Sequence, residues 1–235
     1  MLSVQAAAES HTVPVSGDGD LLEKVRGVRS KLPELASRQR LPANLDFETI
    51  SLPEPDSDVL RDLILDENAR AVIEIGLAYG SSALAIGEAL VSLGPEESSH
   101  LIIDAYQHQF EDVGWDAIVS AGLDTICRLV DGRSQIALPR LVTEGFVTDA
   151  AFVDGSHVFH NVFVDLYFLR DLVRPGGLII LDDCQWPSVS TAVNYYVVNA
   201  GWIAEPMREP TRLRAFRLPN PAFDPSFESF RSFQI

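Results

Sequence analysis

Carboxylates recur at one kind of place in this chain, the ends of short apolar runs. Glu74 and Gly76 close Ala71–Ile75, Asp104 ends His100–Asp104, and Asp131 follows Thr125–Val130. Asp154 ends Ala150–Asp154, and Asp182 and Asp183 close Leu178–Asp182. Carboxylates gathered at one edge repel each other unless a cation is present. The first run passes into Gly76-Leu77-Ala78-Tyr79-Gly80-Ser81-Ser82, a glycine turn that opens a helix. Such a turn lets a ligand approach the backbone at the carboxyl edge of a parallel sheet. A dinucleotide fold would place G-x-G-x-x-G here, but Ala78 stands where the middle glycine would be, and there is no Walker lysine. A ligand without a pyrophosphate fits better. Asp104 can accept hydrogen bonds from both hydroxyls of a ribose.

The elements that must position these groups follow from periodicity. Helical spacing over Asp20–Lys31 predicts a first helix ended by Pro33. Leu41–Pro55 reads as irregular, and Ser57 as the cap of a helix through Val59, Leu60, Leu63 and Ile64. From Ala71 strands and helices alternate. Helices are expected near Ser81–Leu93, Gly114–Leu123, Ser134–Leu141, Val158–Val173 and Ser188–Ala200, with a turn at Arg174-Pro175-Gly176-Gly177. Gly201–Met207 and Leu213–Leu218 read as a final pair of strands. The fold class is therefore α/β: a Rossmann-like, mainly parallel sheet of seven strands, the last antiparallel, with helices on both faces. The divisions expected are an arm and helix over 1–55, a ligand-binding domain over 56–218 and an aromatic tail over 219–235.

Composition narrows the class. The 235 residues are 46% hydrophobic, enough for one substantial core, and the net charge is −16. That acidity argues against a nucleic-acid partner. No apolar run reaches the ~18 residues of a membrane span, and residues 1–20 lack a signal-peptide pattern, reading instead as a poorly ordered arm. Cys127 and Cys184 form neither CxxC nor a zinc spacing, so a reduced, cytoplasmic protein is the default. Phe223, Phe227, Phe230 and Phe233 in the tail are expected to pack on the chain's own core; the alternatives are a second subunit or closure over a substrate.

Glu74–Ser82 resembles motif I of class I S-adenosylmethionine-dependent methyltransferases, with Asp104 similar to their ribose-binding acid. Phe152-Val153-Asp154-Gly155-Ser156-His157, Arg174–Gly177 and Leu181-Asp182-Asp183 resemble, more narrowly, the metal-dependent O-methyltransferases of natural-product biosynthesis, including those acting on macrolide sugars. The resemblance covers about Ser51–Gly201. It implies S-adenosylmethionine held by Glu74, Gly76, Gly80, Ser82 and Asp154, its ribose on Asp104 and its adenine beside Gly132, Arg133 and Ser134. It also implies Mg²⁺ or another divalent cation on Asp154, Asp182 and Asp183, a hard-oxygen set suited to that ion.

His157 follows Asp154 by three residues, and the resemblance makes it the general base that takes a proton from an acceptor hydroxyl. Plainer roles stand beside these: a tight turn for the glycines, a helix cap for Asp183, a solvent-bonded helix terminus for His157. His160 is a weaker candidate, His108 a candidate lid residue, Trp186 a candidate wall of the acceptor site, and Cys184 a core residue. The activity implied is methyl transfer to a hydroxyl of a small secondary metabolite. The rivals are a non-methylating enzyme and a non-catalytic binding protein on the same fold.

Overall fold

The computed structural model describes residues 17–38, 42, 45–208, 210–223 and 225–232. The seven strands are β1 (Ala71–Ile75), β2 (Ser99–Asp104), β3 (Cys127–Asp131), β4 (Thr148–Val153), β5 (Val173–Leu181), β6 (Ile203–Ala204) and β7 (Arg214–Arg217). They form one sheet in the order β3-β2-β1-β4-β5-β7-β6, in which β7 runs antiparallel to both its neighbours and the other six are parallel. The expected α/β sheet is therefore the one observed. Val72, Ile73, Glu74 and Ile75 are all buried, as a central strand covered on both faces requires.

The helices are α1 (Gly17–Ser37), α2 (Phe47–Ile50), α3 (Glu54–Glu67), α4 (Ser81–Leu93), α5 (Val113–Ala121), α6 (Ser134–Thr143), α7 (Phe159–Leu172) and α8 (Pro187–Asn199). Helices α1, α3, α4 and α5 pack together, and α6, α7 and α8 form a second group. Chain order runs outward from β1 to β3 and then returns to β4, so the switch point lies between β1 and β4. Ligands of open α/β sheets collect outside the strand ends at such a point.

Several local expectations need correction. Helix α1 does not stop at Pro33 but continues to Ser37 with that proline inside it. A proline inside a helix costs ~3 kcal/mol through a lost backbone bond. Burial of Val25, Leu32 and Ala36 along the helix offsets this, and Arg26 and Arg29 pair with Glu88 on α4. Ser57 does not cap α3: the N-cap is Pro53, and the Ser57 hydroxyl donates to the Leu52 carbonyl from within the first turn. Leu41–Pro55 is not wholly irregular, because the Asp46 side chain accepts from Thr49 N and caps α2. Arg174–Gly177 is a bulge within β5, between the pairs Thr148–Val173 and Ala150–Leu178.

The expected arm over residues 1–20 lies mostly outside the described residues, as does Phe233. The rest of the tail does not bury its rings: Phe223, Phe227 and Phe230 are 46%, 90% and 57% exposed. The backbone at Arg231 is nonetheless tied to α8 by both ends of the Asn199 amide. Among the described residues no helix is long and apolar enough to cross a membrane.

Candidate active site

A cleft of about 880 Å³ opens over the carboxyl ends of β1, β2, β4 and β5. Its floor begins at the glycine turn. Gly76 has φ 94°, and a Cβ there would lie 2.3 Å from the Asp154 carbonyl oxygen, so the ends of β1 and β4 can approach only because the residue is glycine. Ala78 has φ 44°, a left-handed conformation that costs an L-residue ~1–2 kcal/mol. Ala78→Gly should therefore stabilise the protein by up to ~1 kcal/mol after glycine's own entropy cost. A thermal melt displaced upward by ~2 °C checks this, and an unchanged or lowered melting point counts against strain at Ala78.

Asp104, at the end of β2, clamps this turn. Its Oδ2 accepts from Leu77 N at 2.8 Å and Ala78 N at 3.2 Å, and its Oδ1 accepts from Tyr106 N at 2.6 Å. Gln107 bridges the same place, donating to the Ala78 carbonyl at 2.8 Å. Gly132 and Arg133, between β3 and α6, form the next wall with Ser134 and Gln135 at the start of α6. Buried Asp165 on α7 accepts from Gln135 Nε2 at 3.0 Å. Burial pushes its carboxyl up to about 7, against the pull of Ser134 and Gln135.

At the other end of the cleft, His157 Nε2 lies 2.9 Å from Asp183 Oδ2 and 3.7 Å from Asp154 Oδ1. Its contacts with Asp154 and Asp183 raise the imidazole to about 10, while burial pulls it down. Burial raises the Asp154 carboxyl to about 7. Hydrogen bonding to His157 lowers Asp183. One donor atom from each of Asp154, His157 and Asp183 lies within 4.8 Å of the others, a spacing that suits one cation.

Asp182 stands apart from this group. Its side chain is fully buried, and Arg212 Nε donates to its Oδ1 at 2.8 Å and its Oδ2 at 2.9 Å, with Nη2 also on Oδ2. Burial raises the Asp182 pKa and Arg212 pulls against it.

The cleft thus brings together Gly76, Ser82, Asp104, Gly132, Arg133, Ser134, Asp154, His157 and Asp183. Glu74, Gly80 and Asp182 do not line it. Gly80 is the N-cap of α4 with φ 84°. Glu74 is fully buried: its Oε1 accepts from the Ser82 hydroxyl at 2.5 Å, and its Oε2 lies 2.9 Å from His100 Nε2. Of the weaker candidates, His160 and Trp186 line the cleft and His108 does not. Cys184 is half-buried, its thiol pushed up to about 12 by burial.

The sequence reading missed Arg212, His100, Gln107 and the Thr49–Leu52 wall. Arg212 lies outside every motif, on the loop before β7. His100 carried a signal that was available, an ionisable residue opening a run expected to be buried.

The methyltransferase domain family matches residues 73–184, from β1 through the Asp182-Asp183 end of β5. That stretch is similar to a methyltransferase domain. The chain's fold is that of the class I S-adenosylmethionine-dependent methyltransferases. The O-methyltransferase TomG from Streptomyces achromogenes, involved in tomaymycin synthesis and solved with S-adenosylmethionine, superposes with TM-score 0.61 at 20% identity, over 82% of this chain and 89% of TomG. An O-methyltransferase from Bacillus cereus solved with S-adenosylhomocysteine gives 0.57 at 19%, over 88% and 93%. CalS11, a TDP-rhamnose 3′-O-methyltransferase of calicheamicin biosynthesis, gives 0.57 at 15%, over 82% and 93%. No curated protein sequence matches the chain significantly. Within the matched stretch, the glycine turn and Asp104 make one end of the cleft and the Asp154–His157–Asp183 group the other.

Proposed function

We propose that this protein transfers a methyl group from S-adenosylmethionine to a hydroxyl of a small secondary metabolite. The observation that carries this is a single cleft joining an Asp104-clamped glycine turn to a histidine held between two carboxylates. The residues fit the cofactor. Gly76 lines the cleft at the end of β1, Asp104 faces it from the end of β2, and the space beside Gly132 is open. Gly76, Ser82 and Asp154 would surround its methionine end, with Gly80 and Glu74 supporting that wall from behind. Gly132, Arg133 and Ser134 would flank its adenine.

Bound S-adenosylmethionine supplies an electrophilic methyl for in-line displacement by an acceptor hydroxyl, and a divalent cation supplies a Lewis acid that lowers the hydroxyl pKa. Asp154 and Asp183 are the carboxylates placed to carry that cation. His157, half-exposed on the cleft, is placed to hold the proton the acceptor gives up. Trp186, 55% exposed on the cleft rim, can cover an acceptor ring.

A second reading dispenses with the cation, and the Asp182–Arg212 pair favours it. Arg212 already pairs with Asp182, and His157 Nε2 lies 2.9 Å from Asp183 Oδ2. Chelation separates the two readings. With EDTA, the cation-assisted reading expects the rate of S-adenosylhomocysteine formation to fall by at least ~100-fold and to return with Mg²⁺ or Mn²⁺. An undiminished rate selects the metal-free reading.

In either case His157→Ala should lower kcat by about a hundredfold. An unchanged kcat would remove the histidine from the chemistry. If no S-adenosylhomocysteine forms with any hydroxylated acceptor tried, methyl transfer itself fails. TomG and CalS11, both from natural-product pathways, support the acceptor class. Two free cysteines suit a cytoplasmic setting. The exposed tail rings suit a second copy of the chain as partner.

A further inference from the structure

We propose that Arg212 determines which groups can bind a divalent cation in this cleft, by holding Asp182 out of the donor set. The proposal rests on reading Asp154 and Asp183, beside His157, as the cation site.

Three observations carry it. First, both Asp182 oxygens are engaged: Arg212 Nε bonds each of them, Nη2 adds a contact to Oδ2, and Asp183 N donates to Oδ1 at 2.7 Å. A bidentate guanidinium of this kind is among the strongest partners a carboxylate can have. Second, access differs among the acids. The Asp182 side chain is 0% exposed, whereas Asp154, Asp183 and His157 keep 17%, 13% and 46%. An ion entering the cleft meets those three and finds Asp182 behind a guanidinium.

Third, Arg212 is delivered by an anchored loop. Its backbone N donates to Asp56 Oδ1 on α3 at 3.1 Å, the Thr211 hydroxyl bonds the same oxygen, and Leu213 N donates to Thr211 Oγ at 3.1 Å. The charge is therefore fixed beside the site. It satisfies Asp182 and also repels an incoming cation across a partly buried path, where screening is weak. Arg212 itself lines the cleft, so its removal opens Asp182 to the site without dismantling a remote part of the core.

The test is Mn²⁺ binding to the full chain by calorimetry, with no turnover required. Arg212→Gln frees a third carboxylate and removes a repelling charge, and should tighten Mn²⁺ by at least about tenfold. Arg212→Lys keeps the charge but loses the fork, and should tighten binding by about threefold. The double variant Arg212→Gln with Asp182→Asn should return to within about threefold of wild type. General structural damage would weaken Mn²⁺ binding, so an increase reports the proposed role.

If Arg212→Gln and Arg212→Lys bind Mn²⁺ no tighter than a wild type that binds it, the proposal is overturned and the cation site stands. If wild type binds none but Arg212→Gln does, the proposal holds and the native protein works without a cation. If no variant binds Mn²⁺, both fail. Should Arg212→Gln not fold because Asp182 is left buried and unpaired, Arg212→Lys decides alone, with equal or weaker binding than wild type overturning the proposal.

Discussion

Asp104→Ala is expected to weaken S-adenosylmethionine binding by about a hundredfold and to destabilise the protein by about 4 kcal/mol. The two effects have one source. Asp104 is 8% exposed and accepts from the backbone of Leu77, Ala78 and Tyr106. Hydrogen bonds to a charged group are worth roughly 1.5–3 kcal/mol each, and alanine leaves their donors unpaired, one of them in buried Leu77. The sum exceeds the figure given because water can reach Tyr106 and Ala78. The turn that this carboxylate shapes is also the proposed cofactor floor, and two ribose hydroxyls would lose a charged acceptor. Urea denaturation reads the loss of stability and calorimetry with S-adenosylhomocysteine the loss of binding. An affinity equal to wild type would remove Asp104 from the ribose site. Unchanged stability would show that the turn holds its shape without the clamp.

What could be read from the sequence divides along physical lines. β1 and α4 fall at the boundaries expected, because Ala71–Ile75 is an apolar run and the glycine turn gives it a definite end. The strand-end rule also led to Asp104, Asp154 and Asp183, since topology alone puts the carboxyl ends of neighbouring parallel strands together. It went astray at Glu74, one residue before the end of β1, whose side chain lies in the sheet's covered interior. Asp182 shows the other limit. Its position followed from β5, but its partner Arg212 is 30 residues further on, brought back by β7 pairing with β5. No local pattern marks such a long-range pair. Pro33 was misread for a related reason, since local propensity favours a stop and the packing of α1 on α4 outweighs it.

Stability should fall by up to about 3 kcal/mol between pH 6.5 and pH 9, and His100 is the cause. Its side chain is 0% exposed, with Nε2 2.9 Å from Glu74 Oε2 and Nδ1 3.7 Å from Cys127 Sγ. Burial alone would push the imidazole down, but Cys127 and Glu74 more than reverse this and raise it to about 9. The folded pKa then lies above the unfolded value of 6.5. The folded state therefore binds more protons in that window, and stability is full below pH 6.5 and lost as pH rises through 9. His157, raised to about 10, works in the same direction, but it is nearly half-exposed and its contribution is screened.

Urea melts at pH 6, 7.5 and 9 measure the slope, and His100→Gln assigns it. Glutamine can carry a donor toward Glu74 but cannot titrate, so most of the pH dependence should vanish in that variant. Since Glu74 holds the Ser82 hydroxyl at the start of α4, the same loss should raise the KM for S-adenosylmethionine at alkaline pH in wild type. A slope that survived intact in His100→Gln would mean that the buried pair is neutral, and that Glu74 holds Ser82 without a cation behind it.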